Sequence, residues 1–393
     1  MFKINFVTFL NTNFSMKLKP LFFFLFFSFF NPENLFAEYK KPIDVVICMD
    51  LSGSTNGLLD DVRDMYWDLV NQVNTYQPQP DFRIGIVAFS RPSFERSTGF
   101  VKILSPLTRN YDQPAYELAK LTLAIEKGDQ LVGAALRASV TAMKWSADEQ
   151  AIRVIFLIGN GRVSLDKFRY KEAYELAAKR KIIVNTIYCM TSNFKEEIMG
   201  WKEIADYTGG VQYDVLVHKR NPLVLTGKDS ARLAELHKKL SSSYIYFGKG
   251  GKDLSAMQDL VDRKAMLANQ MTFQSRLFYK ISDFYQLRQS HWDLVDYVKV
   301  TNGDLRKIDP ALLPKQYKSY TADALRVLVT NKKVERQKAI TAMREMIPYD
   351  RQKIINRVVS EKEYDKNPGT LDRMIIGWLN AKAAEKGFQT FVN

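Results

Sequence analysis

Apolar runs of strand length, separated by stretches of helical spacing, recur between residues 43 and 215. They read IDVVICM at 43–49, FRIGIVAF at 82–89, VIFLI at 154–158 and IIVNTIYC at 182–189, with shorter runs at 100–104 and 211–215. A continuous apolar run suits a strand buried on both faces, which is the habit of parallel sheets. Between the first two runs, Leu58, Val62, Met65, Leu69 and Val73 recur three or four residues apart and line one stripe of a helix over 58–73. Further helices are expected at 114–127, 132–145, 171–179 and 201–208, the last ended by Gly209 and Gly210. Strands alternating with helices predict an α/β domain with a doubly wound, mostly parallel, Rossmann-like sheet. Such sheets bind ligands at the carboxyl ends of their strands.

The first strand runs directly into Asp50-Leu51-Ser52-Gly53-Ser54. One tight turn thus brings together a carboxylate and two hydroxyls, hard oxygen donors of the kind that suit Mg²⁺. Asp and Ser are also favoured helix N-caps, so the turn alone could simply serve the helix that follows.

With these residues in view, the chain resembles the von Willebrand factor A domain family. The resemblance rests on DVVICMDLSGS (44–54), FRIGIVAFS (82–90), GDQLVGAALRAS (128–139), RVIFLIGNG (153–161), IIVNTIYC (182–189) and IADYTGGVQYDV (204–215), in family order. It implies a metal-ion-dependent adhesion site, where Mg²⁺ or Mn²⁺ accepts a carboxylate from a partner protein. Of the family's five ligand positions, Asp50, Ser52 and Ser54 match. Gln130, with Asp129 beside it, stands where the family has a threonine, and Asn160 stands where it has an aspartate. Two carboxylates become one unless Asp129 contributes, which weakens attraction for a hard dication, although Asn160 can still offer a carbonyl oxygen. The resemblance therefore implies Asp50, Ser52, Ser54, Gln130 and Asn160 as the metal set, with Asp129, Gly53 and Gly161 in support. A narrower similarity, carried by KWS (144–146), IRVIFLIGN (152–160) and VNTIYC (184–189), is to secreted bacterial members with a C-terminal helical region. In that group a Gly-Asn pair at the fourth strand is typical.

Residues 21–30 read LFFFLFFSFF, preceded by Lys17 and Lys19 and followed by Leu35-Phe36-Ala37. Ten apolar residues fall short of the roughly 20 that span a bilayer. The pattern is that of a secretory signal peptide over 1–37, cleaved after Ala37, with Met16 as a second start. A secreted or periplasmic protein with no transmembrane segment in the mature chain is expected. The α/β domain is placed at 38–220 and a basic helical domain at 221–393. In the latter, helical spacing covers 228–240, 254–287, 292–300, 322–329, 334–346, 351–359 and 370–386, with one strand-like stretch at 244–247. The whole chain carries a net charge of +14, and 223–393 hold 30 basic and 19 acidic side chains against 24 and 23 in 38–222. The helical half is the basic surface, suited to an anionic envelope component, to an acidic partner or to water alone. Few aromatics interleave with these charges, so base stacking and a nucleic-acid partner are not expected.

No G-x-S-x-G or H-E-x-x-H pattern occurs, and Gly248-Lys249-Gly250-Gly251-Lys252 lacks P-loop spacing. Only three histidines are present (218, 237 and 291), and no catalytic role is expected of the chain. Cys48 and Cys189 end strands with the 154–158 strand between them. Two strand spacings, roughly 9.5 Å, exceed the disulfide reach of about 7 Å, so two buried free thiols are expected. The function expected is that of a secreted or periplasmic interaction module that binds a partner's acidic side chain through the divalent ion. The alternative is a metal-independent envelope scaffold or surface adhesin acting through the basic helical region.

Overall fold

The six strands β1 (Pro42–Asp50), β2 (Asp81–Phe89), β3 (Val101–Thr108), β4 (Ile152–Gly159), β5 (Ile183–Cys189) and β6 (Gln212–Val215) form one sheet in the order β3-β2-β1-β4-β5-β6. The computed structural model describes residues 39–122, 130–163, 170–190, 195–217, 227–347 and 370–390. The signal segment at 1–37, Asp129, His218 and the helix expected at 351–359 lie outside the described residues. All neighbouring strands run parallel except β3, which is antiparallel to β2 at the edge. From β1 the chain passes to β2 on one side and later to β4 on the other, so the order reverses between β1 and β4. A crevice opens at such a switch point, beyond the carboxyl ends of the strands.

Every residue of β1 is buried. Ile43, Val45, Ile47 and Met49 face one layer, with α1 (Leu58–Val73) and α2 (Asp112–Lys120). Val46 and Cys48 face the other, with α3 (Val132–Ala142), α4 (Tyr170–Lys179) and α5 (Lys195–Thr208). This is the period-two alternation of a strand with two apolar faces. Cys48 and Cys189 lie on opposite layers, with β4 between their strands, and both are free. Burial pushes the Cys48 thiol up to about 12. Helix α2 ends at Lys120, short of the expected 127: Leu121 turns to extended backbone.

Beyond the sheet come α6 (Gly227–Ser241), α7 (Gly251–Ala268), α8 (Gln270–Lys280), α9 (Asp283–Gln289), α10 (Leu294–Thr301), α11 (Ala322–Met346) and α12 (Leu371–Glu385). The single helical stretch expected at 254–287 is three helices. Asn269 breaks it by accepting from the Thr272 N–H at 2.9 Å, and Ser282 by accepting from the Tyr285 N–H at 3.2 Å. Conversely, 322–329 and 334–346 are one helix, because Asn331, Lys332 and Lys333 are compatible with helix and carry it across the gap. The strand-like 244–247 reduces to a bridge between Tyr246 and Asp293. Among the described residues no helix is long and apolar enough to cross a membrane.

The sheet and the helical half share a core. Ile375, Ile376, Leu379 and Ala383 of α12 lie in the core shared with the α1 layer, the helix packing on α1 and β4. Trp378 meets Phe156 of β4 edge-on at 5.7 Å. Asn380 Oδ1 accepts from the Tyr76 hydroxyl at 2.6 Å and from Gln72 Nε2 at 3.2 Å. The last helix of the chain thus closes the α1 layer of the sheet.

A second tie is ionic and dry. Arg276 of α8, fully buried, donates to Asp112 of α2 at 2.5 Å and to Asp262 of α7 at 2.8 Å, and its guanidinium stacks over Trp67 of α1 at 4.5 Å. Lys280 pairs with the other oxygen of Asp262, and His237 Nε2 lies 3.1 Å from it. Burial alone would raise Asp262, but Lys280 and Arg276 outweigh it and hold the carboxyl well below the usual carboxylate range.

Candidate functional site

The end of β1 and the end of β4 meet at the switch point. Ser52 donates its backbone N–H to Asp50 Oδ1 at 2.8 Å, and Thr55 donates its hydroxyl to the carbonyls of Asp50 and Ser52, both at 3.0 Å. The turn therefore folds on itself, with Gly53 in the single 3-10 turn Gly53–Thr55. Helix α1 starts independently at Gly57, a left-handed N-cap with φ +97°. The Asp50 carboxylate and the two serine hydroxyls are not spent on capping α1, which answers the helix-cap alternative for this turn.

Five side chains singled out in the sequence come together here. Ser52 Oγ lies 2.9 Å from Ser54 Oγ, which donates to Asn160 Oδ1 at 2.9 Å. Gln130, just before α3, reaches over them. Its Nε2 lies 3.2 Å from Asp50 Oδ2, 3.1 Å from Ser52 Oγ, 2.9 Å from Ser54 Oγ and 2.5 Å from Asn160 Oδ1. The nitrogen end faces inward because a carboxylate and a carbonyl would repel the amide oxygen. Asp50 is fully buried and Ser54 is exposed, so the ring opens to solvent on one side. Burial pushes Asp50 up to about 6, opposed first by the Ser52 N–H.

The two glycines around Asn160 have separate reasons. A Cβ on Gly159 would stand 2.7 Å from the Asp50 Cβ, so only glycine lets β4 pass that side chain. At Gly161, φ is +87° and a Cβ would stand 1.9 Å from Gln130 Oε1, so a side chain there would evict Gln130. Beneath them, Trp201 of α5 donates its indole N–H to the Gly161 carbonyl at 2.9 Å. Thr55, Gly159 and Trp201 support the site; Thr55 and Trp201 were missed from sequence, and Gly159 was read only as part of the Gly-Asn pair. Thr55 and Gly159 adjoin the motif residues; Trp201 is 40 residues from its partner and left no local signal.

The donor set is all oxygen and fits Mg²⁺ or Mn²⁺ in kind. The two 2.9 Å oxygen spacings also fit an octahedron with bonds of about 2.0–2.1 Å, whose edges are about 2.9 Å. The set carries one carboxylate, and among the described residues no group of three or more His, Cys, Asp or Glu is gathered as for a metal.

Residues 44–205 match the von Willebrand factor type A domain family. Similar solved structures include an aerotolerance-related membrane protein from Bacteroides fragilis carrying multiple mutations to serine, at 16% identity over 44% of this chain and 91% of that one, with a TM-score of 0.31. Another is the pilus adhesin SpaC from Lactobacillus rhamnosus GG in an open conformation, at 14% identity over 45% and 28%, with a TM-score of 0.35. A third is a von Willebrand factor type A protein from Catenulispora acidiphila, at 14% identity over 54% and 47%, with a TM-score of 0.34. Overlaps this slight bear on neither partner nor activity. No curated protein matches the chain. The stretch from β1 to α5, with its strand reversal and its Asp50 turn, is a von Willebrand factor type A domain, a family of protein-interaction modules.

Proposed function

We propose that this chain is an interaction protein that grips an acidic side chain of a partner at the β1–β4 edge, through Mg²⁺ or Mn²⁺. The observation that carries the reading is the convergence of Asp50 Oδ2, Ser52 Oγ, Ser54 Oγ and Asn160 Oδ1 on one solvent-facing point, marked by Gln130 Nε2. Asp50, Ser52, Ser54 and Asn160 would hold the ion, at the point that Gln130 Nε2 occupies. When bound, the ion supplies positive charge for a partner carboxylate to meet. Asp50 brings the ring's single negative charge, and the serines and Asn160 bring none. A dication held there keeps a net positive charge, which favours an acidic partner and weakens retention of the ion itself. The reading is one of binding, since the ring offers no second acid or base to divide proton transfers with Asp50.

We infer further that the protein acts outside the cytoplasm, on the strength of the apolar run at 21–30 and the Ala37 exit. The basic half, with 30 basic and 19 acidic side chains over 223–393, supports a second contact with an anionic envelope component. Calorimetric titration of the full chain with Mn²⁺ and Mg²⁺, beside Asp50→Ala, tests the first reading. Saturable uptake that disappears in the variant is expected; identical traces for both proteins would sink it. Binding of anionic vesicles that persists in Asp50→Ala and collapses with salt would assign the envelope contact to the helical half.

A further inference from the structure

Gln130 Nε2 contacts four oxygens, yet an amide nitrogen has two protons to donate. A side chain placed only to make hydrogen bonds would seek two acceptors along its N–H directions. This one stands at the common focus of Asp50 Oδ2, Ser52 Oγ, Ser54 Oγ and Asn160 Oδ1. The point where four inward-facing oxygens meet is where positive charge is most stable, and the amide nitrogen, with its two N–H dipoles, is the chain's nearest neutral substitute for a cation. Room for it is cut into the fold: Gly161, at φ +87°, leaves the space that the Gln130 amide oxygen fills. The ring is therefore closed by a part of the protein, not merely left lacking a ligand.

We propose that Gln130 is a built-in competitor for the ion. Amide and divalent cation exclude one another from the same point, and uptake of the ion requires the Gln130 side chain to swing out of the ring. Gln130 thereby sets the ion threshold of the edge, and a partner carboxylate that holds the ion also holds the ring open. The inference rests on the reading of this edge as an ion site. It differs from that reading in one consequence: removing a residue of the ring should improve ion binding.

The test is Mn²⁺ titration of the full-length chain by calorimetry, with free Mn²⁺ followed by electron paramagnetic resonance, for wild type, Gln130→Ala and Gln130→Glu. Thermal melts of each are taken with and without the ion. Gln130→Ala should bind Mn²⁺ roughly tenfold tighter or more, because one or two competing hydrogen bonds are gone. Gln130→Glu keeps the shape but sets a second carboxylate beside Asp50. Without ion it should melt below wild type, and Mn²⁺ should raise its melting temperature more than that of wild type. If wild type binds Mn²⁺ and Gln130→Ala binds it equally or more weakly, Gln130 is no competitor, while the ion reading stands. If no variant takes up Mn²⁺ and Gln130→Glu melts like wild type, both proposals fall and the ring is a closed polar cluster. A silent wild type beside a binding Gln130→Ala supports the competitor directly.

Discussion

Below α8, Asp112 and Asp262 meet Arg276 and Lys280, all four from the chain itself and all buried. At the end of β1, Asp50 is as deeply buried and meets neutral donors, the Ser52 N–H and the Gln130 amide among them. The two carboxylates respond in opposite directions. Asp262 is held well below the usual carboxylate range, whereas burial pushes Asp50 up to about 6. In the first cluster the fold has solved the charge problem permanently, and the result is a tie between the sheet and the helical half. At the second the balance is unfinished, and an unfinished balance in a solvent-facing crevice is what a binding site requires.

The largest effect should come from unbalancing the closed cluster. Arg276→Ala leaves Asp112 and Asp262 without their shared guanidinium and opens a gap over Trp67. A loss of about 3–5 kcal/mol is expected for one partner removed from a buried ionic pair. Denaturant unfolding of wild type and variant, followed by tryptophan fluorescence and far-ultraviolet circular dichroism, measures it. Coincident transitions are expected, because α12 and the Arg276 cluster bind both halves to one core. A variant in which the helical half melts first while the sheet persists would break the picture of a shared core.

The acid limb of stability is the next handle. Asp262 has its folded value depressed, so its contribution is complete above the ordinary carboxylate pKa of about 4. It is lost as pH falls from there through the depressed value, where the folded state is forced to take up the proton. Wild type should therefore lose stability steeply below about pH 4. Asp262→Asn, already without that charge, should be weaker at neutral pH and flatter toward acid. An unchanged slope in the variant would mean that acid unfolding is governed elsewhere.

How far the sequence disclosed these two places follows from their physics. Asp50, Ser52 and Ser54 follow the end of a buried strand, where strand period and the turn fix their position, while Gln130, just before α3, and Asn160, just after β4, could be joined to them only through the family resemblance. The ionic cluster joins Asp112 to Arg276, 164 positions apart. Each of its members reads locally as an ordinary charge on a helix, and nothing in a helical period says that a charge is buried. The same limit hid the docking of α12 on the sheet: its apolar stripe was plain, its destination was not. The breaks at Asn269 and Ser282 were legible as N-cap residues, but the apolar spacing ran through them and masked the stops. The amide at the focus of the ring was legible as a residue and not as a role. Gln130 could be placed among the ligands, while its nitrogen standing where an ion would sit required coordinates.

The smallest expected effect on stability is also the sharpest contrast. Asp50→Asn removes the ring's only charge, beside which no ion pair is found among the described residues, and leaves a side chain of the same shape. One donor now faces another at Gln130, at a cost of about one hydrogen bond, set against the relief of a buried carboxylate whose hydrogen bonds, that of the Ser52 N–H first, only partly offset its burial. The ion-free melting free energy should stay within about 1 kcal/mol of wild type, far from the loss expected of Asp262→Asn, although both changes neutralise one fully buried aspartate. Mn²⁺ uptake should nevertheless vanish, since the remaining oxygens are neutral and hold a hard dication poorly. A variant that loses stability as Asp262→Asn does would mean that Asp50 is a structural charge like those below α8. A variant that keeps its stability and loses the ion would mean that the end of β1 is built around a charge the chain does not itself supply.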